Sequence, residues 1–98
     1  MLTKRFFKTK DEAEVTFEHP CPTAEKVELV GEFTGWKPVA MKFSKKDNLF
    51  RLKQRLPVDK AFHFKYLVNG VDWHNDHQAD AYVPNAFGTE NSLVTTDR

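Results

Sequence analysis

The chain has 98 residues, of which 40% are hydrophobic and 13% aromatic, and its formal net charge is +1. This length suits one domain with a real core, so we expect a single domain over residues 1–98, without the deep cleft of a larger enzyme. Because acidic and basic residues balance, bulk charge indicates neither nucleic acid nor an anionic membrane as a partner. The single cysteine, Cys21, cannot form an internal disulfide and favours a reducing, cytoplasmic location. The apolar run near the N-terminus, Phe6-Phe7, is too short for a signal peptide or a membrane span.

The first half of the chain predicts short β-strands separated by turns. Alternating or β-favouring residues mark Leu2–Phe7, Glu12–His19, Lys26–Phe33, a strand beginning at Met41 and Phe43, and Phe50–Leu56. Prolines end the second and the last of these segments, because proline cannot donate to a strand ladder. The polar turn between the third and fourth segments carries Trp36, directly after Gly35.

The clearest pattern runs from Ala61 to Asp76, where bulky residues fall at every second position. A period of two predicts a strand with one buried face, formed by Phe62, Phe64, Tyr66 and Val68. Lys65 then lies on the opposite face. Asn69-Gly70 predicts a tight turn, since both residues tolerate positive φ angles. We expect the chain to reverse there and to return as a second strand that carries Trp73.

The register of this hairpin decides where Trp73 points, and two registers are open. A two-residue Asn69-Gly70 turn pairs Tyr66 with Trp73 and puts the indole in the core, because directly paired residues share a face. A three-residue loop over positions 68–70 pairs Lys65 with Trp73 and leaves the indole outside. We favour the longer loop and an exposed Trp73.

The last part of the chain reads as a polar loop followed by one more strand. Asn75 to Ala86 is predicted as loop, and Ser92–Thr96 as the final strand. No window shows sustained helical periodicity. Short strands with turn signals between them predict an all-β sandwich of about seven or eight strands.

Trp36 is the first candidate for a binding residue. A core tryptophan more often lies within the apolar run of a strand, whereas Trp36 lies in a polar turn. An exposed indole on a turn is a platform for a flat, weakly polar ligand, and the C–H face of a sugar ring fits that description. The alternative is a tryptophan that anchors the loop by packing. Lys65 taken alone reads as a solvated lysine.

Two further groups of residues invite a chemical interpretation. His74, His77 and Asp80 have the residue types of a metal site, but two histidines in a loop without a firm third ligand are a weak signal, so we predict no metal and no cofactor. Asp72, Asp76 and Asp80 are candidate glycosidase carboxylates, yet that chemistry needs two acids that face each other across a bound sugar. A small sandwich has no cleft to arrange them, and nucleophile and phosphate motifs are absent. We therefore predict no catalytic residue.

Four fragments of the chain, in order, resemble one family. They are Val27–Trp36 with its glycine and phenylalanine before a tryptophan, Phe64–Gly70 with its lysine, Trp73–Asp76, and Phe87–Asn91. Over roughly Ala24 to Thr96 the chain resembles the family 48 carbohydrate-binding modules. These include the early-set N-terminal domains of isoamylases and glycogen branching enzymes, and the glycogen-binding domain of the AMP-activated protein kinase β subunit.

The resemblance implies an immunoglobulin-like, early-set β-sandwich that binds α-1,4-linked glucan. The residues implied for the groove are Trp36 and Trp73, which would stack on glucose rings, Lys65 and Asn91, which would hydrogen-bond hydroxyls, and Phe87 and Thr89, which would line it. Thr34 stands where many members carry asparagine, which puts the hydrogen bonds of that turn in question. No catalytic or regulatory segment accompanies the module, so we expect a standalone domain.

The leading hypothesis is a non-catalytic, cytoplasmic module that binds glycogen or maltooligosaccharides, with a glycogen-metabolising enzyme as a candidate partner. The alternative is a protein-interaction or regulatory module that keeps the fold without binding sugar, because exposed aromatic side chains serve either role. For the sugar hypothesis, two stacked tryptophans offset by the entropy of association predict a Kd on the order of 10 µM to 1 mM.

Overall fold

The computed structural model describes every residue from Met1 to Arg98 and contains ten β-strands in two antiparallel sheets. The strands are β1 (Leu2–Phe6), β2 (Glu12–His19), β3 (Val27–Gly31), β4 (Val39–Ala40), β5 (Lys42–Ser44), β6 (Leu49–Pro57), β7 (Ala61–Val68), β8 (Asp72–His74), β9 (Ala81–Pro84) and β10 (Glu90–Thr95). A single 3-10 turn, Glu32–Thr34, follows β3. The predicted all-β sandwich is confirmed. No helix has the length and hydropathy needed to cross a membrane.

The two sheets have four and six strands and differ in strand order. The first sheet has the order β1-β2-β6-β5, and the second has the order β4-β3-β7-β10-β9. Strand β8 pairs with the C-terminal end of β7, on the side that β10 leaves open. Strand β7 is therefore the centre of the second sheet, with β3 along one edge and β10 followed by β8 along the other.

Ten strands form where eight segments had been predicted, and two causes account for the difference. The predicted strand at Met41 and Phe43 is two short strands in different sheets, because the chain crosses from β4 to β5 at the buried Met41. Strand β9 lies inside the segment predicted as loop. It forms by backbone pairing with β10 at the sheet edge, a position that needs no apolar alternation and tolerates Pro84 at the strand end.

The core fills the space between the sheets with aromatic side chains from both. Phe17 of β2 meets the ring of Phe64 edge-on at 5.1 Å between centroids and stacks on Phe33 at 5.3 Å. Phe64, Tyr66 and Val68 are buried as predicted, while Phe62 is only half-buried at the start of β7. The alternation of β7 therefore assigns its inner face correctly.

A buried carboxylate closes one end of the sandwich. Asp76 is 1% exposed, and its Oδ2 accepts a hydrogen bond of 2.6 Å from the Tyr66 hydroxyl. The amino group of Met1 also contacts Oδ2, the Gln78 amide donates to Oδ1, and the Asp76 amide donates to the Ser92 hydroxyl. Burial, followed by the nearby Asp76 charge, raises the pKa of Tyr66 well above its usual value. The loop after β8 is thereby fixed to the core.

The hairpin between β7 and β8 combines a tight turn with one extra residue. Asn69 and Gly70 both have positive φ angles, and the Val71 amide donates to the Val68 carbonyl oxygen, as in a two-residue turn. Val71 then remains unpaired in the ladder, so Val68 faces Asp72.

Because of this extra residue, the predicted pairing of Trp73 with Lys65 is wrong, whereas the predicted outward orientation of Trp73 is confirmed. Trp73 pairs with Leu67 rather than with Lys65, and the loop spans positions 69–71 rather than 68–70. Leu67 and Lys65 share the outer face of β7, so Trp73 still points outward and is 54% exposed.

We expect Phe64→Ala to lower the free energy of unfolding by about 3–5 kcal/mol, because it empties a fully buried aromatic site between the sheets. Urea denaturation followed by circular dichroism measures the change. Phe87→Ala is the matched control, since Phe87 is 90% exposed and its removal should change stability by less than about 0.5 kcal/mol. A loss below about 1 kcal/mol for Phe64→Ala would contradict the face assignment of β7.

Tyr66→Phe should cost about 1–3 kcal/mol, because the ring still fills its site while the buried Asp76 carboxylate loses a donor. Tyr82→Phe provides the comparison. The Tyr82 hydroxyl also donates to Asp76, but to its backbone carbonyl, and the side chain is 42% exposed. Equal losses in the two variants, measured by the same denaturation, would argue against a special contribution from the buried carboxylate.

Candidate functional site

The turn after β3 is built around Gly31. A Cβ atom there would lie 2.9 Å from the His63 carbonyl oxygen and 2.8 Å from the Phe33 ring, so only glycine fits between β3 and β7. The Thr34 hydroxyl accepts from the Gly31 amide at 3.1 Å and donates to the Gly31 carbonyl oxygen at 2.9 Å. Although Thr34 replaces the asparagine of many family members, it forms hydrogen bonds that close this turn.

Trp36 leaves this turn in a left-handed backbone conformation. Gly35 has φ +65° and Trp36 has φ +60°, a region that a bulky L-residue rarely adopts. The cost is offset locally, because the Trp36 amide donates to the Gly31 carbonyl oxygen at 2.9 Å and the Gly35 amide donates to the Glu32 carbonyl oxygen at 3.1 Å. The indole is held away from the core and is 48% exposed.

Strands β7 and β8 supply the floor of the same surface. Lys65 is half-buried on the outer face of β7, opposite Val30 of β3, and its ammonium group forms no ion pair. Trp73 of β8 lies on this outer face as well. A cation without a protein partner and an exposed indole are therefore neighbours on one side of the second sheet.

The loop between β9 and β10 is organised by Asn85. Its Oδ1 accepts hydrogen bonds from the amides of Phe87 and Thr89, and its Nδ2 donates to the Thr89 hydroxyl at 2.8 Å and to Asn91 Oδ1 at 3.0 Å. Gly88 supplies the one positive φ that the loop needs, +78°. One side chain thus fixes the backbone that carries Phe87, and it also orients the amide of Asn91.

These elements enclose a groove of about 610 Å³, within the usual size of small-molecule sites. Its lining consists of Trp36, Lys65, Trp73, Asn85, Phe87, Thr89 and Asn91. All six residues predicted for a binding groove are brought together here, from four separate parts of the chain. Asn85 was not predicted as a groove residue. A sequence signal was present, because an asparagine after a proline and shortly before a glycine is typical of a turn in which the asparagine side chain accepts hydrogen bonds from following backbone amides.

The groove combines apolar faces with hydrogen-bonding groups. Three exposed aromatic rings offer apolar faces, and a lysine, a threonine and two asparagines offer donors and acceptors around them. No carboxylate, thiol or imidazole lines the groove.

The acidic residues and histidines considered for metal binding or glycosidase chemistry lie outside the groove and have other contacts. Asp76 is the buried carboxylate described above, and Asp80 bonds to Lys4 at 2.7 Å and to the Thr95 amide at 2.8 Å. His74 does not gather with His77 and Asp80 but meets His19, with 3.0 Å between His74 Nδ1 and His19 Nε2. Burial, and then the neighbouring His74, lowers the pKa of His19 to about 4.

A small β-sandwich with an aromatic, carboxylate-free groove on one sheet has the architecture of a carbohydrate-binding domain. The family model described as the glycogen recognition site of AMP-activated protein kinase matches residues 13–98, and the chain belongs to this family. The resemblance inferred from four sequence fragments is thereby confirmed. A search of curated proteins finds no match.

Asn85→Ala should increase the hydrogen-exchange rates of the Phe87 and Thr89 amides, because both donate to Asn85 Oδ1. Amide exchange followed by NMR measures this directly. Asn85→Asp is the control, since a carboxylate keeps the acceptor and should keep both amides protected. Equal exchange in the alanine variant and the unchanged protein would show that the loop does not depend on this side chain.

Proposed function

We propose that the groove binds α-1,4-linked glucan of the glycogen type, as the non-catalytic ligand site of the chain. The observation that carries the proposal is the convergence of Trp36, Trp73 and Phe87 around a rim of donors and acceptors, in a member of a glycogen-recognition family. A glucose ring has an apolar C–H face and a hydroxylated rim, which this arrangement complements.

The roles that we propose for the groove residues are those that the family resemblance implies, and the chemistry of each side chain suits its role. The two indoles stack on glucose rings, and Phe87, which is 90% exposed, covers the ligand from the β9–β10 loop. Lys65 donates to hydroxyl or ring oxygens, and Asn91 both donates and accepts. Thr89 offers a hydroxyl next to Phe87.

Preorganisation is the main contribution of the protein to affinity. Trp36 is held by backbone hydrogen bonds and the 85–91 loop by Asn85, so few groups lose freedom when a ligand binds. Stacking one indole buries about 100 Å² of apolar area, worth about 2.5 kcal/mol at about 25 cal/mol per Å². After the entropy of association is subtracted, a Kd on the order of 10 µM to 1 mM is expected for a short glucan. A polymer with many sites binds more tightly in effect when several modules engage it.

The setting of this activity is inferred from the sequence. A single half-buried cysteine and no disulfide suit a reducing cytoplasm, where glycogen-type polymers are made and degraded. A module of this kind serves to hold a glycogen-metabolising enzyme on its substrate, so such an enzyme is the protein partner that we propose.

Retention on immobilised glycogen tests the proposal. We expect the protein to be retained, to elute with maltoheptaose, and not to elute with a β-1,4-linked oligosaccharide of equal length. Passage through the column without retention, together with an intact fold by circular dichroism, would favour the protein-interaction alternative instead.

Trp36→Ala and Trp73→Ala should each raise the Kd for maltoheptaose at least about tenfold, or about 1.4 kcal/mol, while changing stability little because both indoles are about half exposed. Isothermal titration calorimetry measures the Kd, and thermal unfolding checks the fold. Phe6→Ala is the control, since it removes an aromatic side chain, 37% exposed, from the first sheet. Unchanged affinity in both tryptophan variants would exclude the groove as the sugar site.

A further inference from the structure

Three soft metal-binding side chains meet at one end of the sandwich, apart from the groove. His19 is the last residue of β2, Cys21 follows it after one proline, and His74 is the last residue of β8. Their ligand atoms all lie within 4.8 Å of one another. His74 pairs with Tyr66, whose side chain is in the core, whereas Trp73 points outward. The cluster therefore lies on the inner side of the sheet and the groove on the outer side.

The hydrogen bonding of this cluster is incomplete. His19 is 7% exposed, and its Nε2 is 3.0 Å from His74 Nδ1, but its own Nδ1 is buried with no hydrogen-bond partner. If Nε2 carries the proton and donates it to His74, then Nδ1 is a buried lone pair that no donor reaches. Buried polar atoms without a partner are rare in folded proteins, and an ion that binds at the site is one of the recognised explanations.

We propose that His19, Cys21 and His74 form a binding site for a thiophilic transition-metal ion, with Zn²⁺ as the ion that the donor set fits best. Two imidazoles and one thiolate are ligands that Zn²⁺ accepts in tetrahedral sites, whereas Ca²⁺ and Mg²⁺ require oxygen ligands. The three ligands leave the fourth position to a water molecule. His74 and Cys21 are both half-buried, which gives an ion and this water a path from solvent.

The distances between the ligand atoms are close to those around a bound ion. With bonds of about 2.0–2.3 Å, two atoms bound to one tetrahedral Zn²⁺ lie about 3.3–3.7 Å apart. The present spread of at most 4.8 Å exceeds this by little more than 1 Å. Cys21 lies in a loop outside the strands, where such a shift disturbs no ladder. The Tyr66 ring stacks on the His19 imidazole, with centroids 4.5 Å apart and planes 20° apart, and fixes its orientation from behind.

An ion bound here would join the two sheets. His19 belongs to the first sheet and His74 to the second, so one metal ion would cross-link the two sheets. Because the unfolded chain does not hold these ligands together, binding is expected to stabilise the fold. The site is independent of the glucan proposal, and neither depends on the other.

The test uses the reduced protein, freed of metal by a chelator and then titrated. We expect uptake of one equivalent of Zn²⁺ by calorimetry, a rise in Tm that grows with excess Zn²⁺, and a thiolate-to-metal absorption band with Co²⁺ as the spectroscopic probe. Cys21→Ser should abolish the Co²⁺ band and weaken Zn²⁺ binding at least about tenfold, and His74→Gln should weaken it similarly. His77→Gln, an exposed histidine outside the cluster, is the matched control.

Three results would overturn the proposal. They are no saturable uptake of Zn²⁺, a Co²⁺ complex without the thiolate band, or a loss of binding in His77→Gln as large as in His74→Gln. Because Cys21 and His74 are only half-buried, their variants are expected to fold, and circular dichroism confirms this before titration. Maltoheptaose affinity, measured in the same samples, reports separately on the groove.

Discussion

The pleat of β7 is the constraint on which the rest of the structure depends. Its inner residues Phe64 and Tyr66 build the core with β2, and its outer residue Lys65 lies in the groove. A slip of one residue would exchange the two faces, removing the aromatic side chains from the core and the lysine from the groove. The packing of Phe64 and the bond from Tyr66 to Asp76 make such a slip costly. Stability and the proposed recognition thus rest on the same register.

Turns complete the groove above the floor that β7 and β8 supply, and each turn is held by a small number of polar contacts. Thr34 closes the turn that presents Trp36, Asn69 accepts from the amides of Glu25 and Lys26, and Asn85 holds the loop that carries Phe87. Several backbone positions around the groove are left-handed, which is characteristic of sites where the surrounding structure enforces a conformation. A sandwich of this size has a small core, so its binding surface has to be fixed locally rather than by deep burial.

The strands and their faces were largely predictable, because period-two alternation directly reflects one-sided burial. The edge strand β9 was not, since backbone pairing at an edge requires no apolar pattern. The hairpin was predictable in part. The Asn69-Gly70 dipeptide predicts the turn, but nothing in the sequence indicates that Val71 stays unpaired. In the groove, the six predicted residues could be proposed through family resemblance. Asn85 and the contact between His19 and His74 depend on which loops meet in space, and sequence spacing does not encode that.

Both tryptophans of the chain lie at the groove, and the core contains none. Phenylalanine and tyrosine fill the interior instead, with Phe17, Phe64 and Tyr66 fully buried. The intrinsic indole emission of this protein therefore originates entirely from half-solvated rings on one face. It should already be shifted toward the red in the native state and should change little on unfolding. A ligand that covers those rings would shift the emission toward the blue. Because both tryptophans lie at the groove, indole emission reports on the binding surface rather than on the folding of the core.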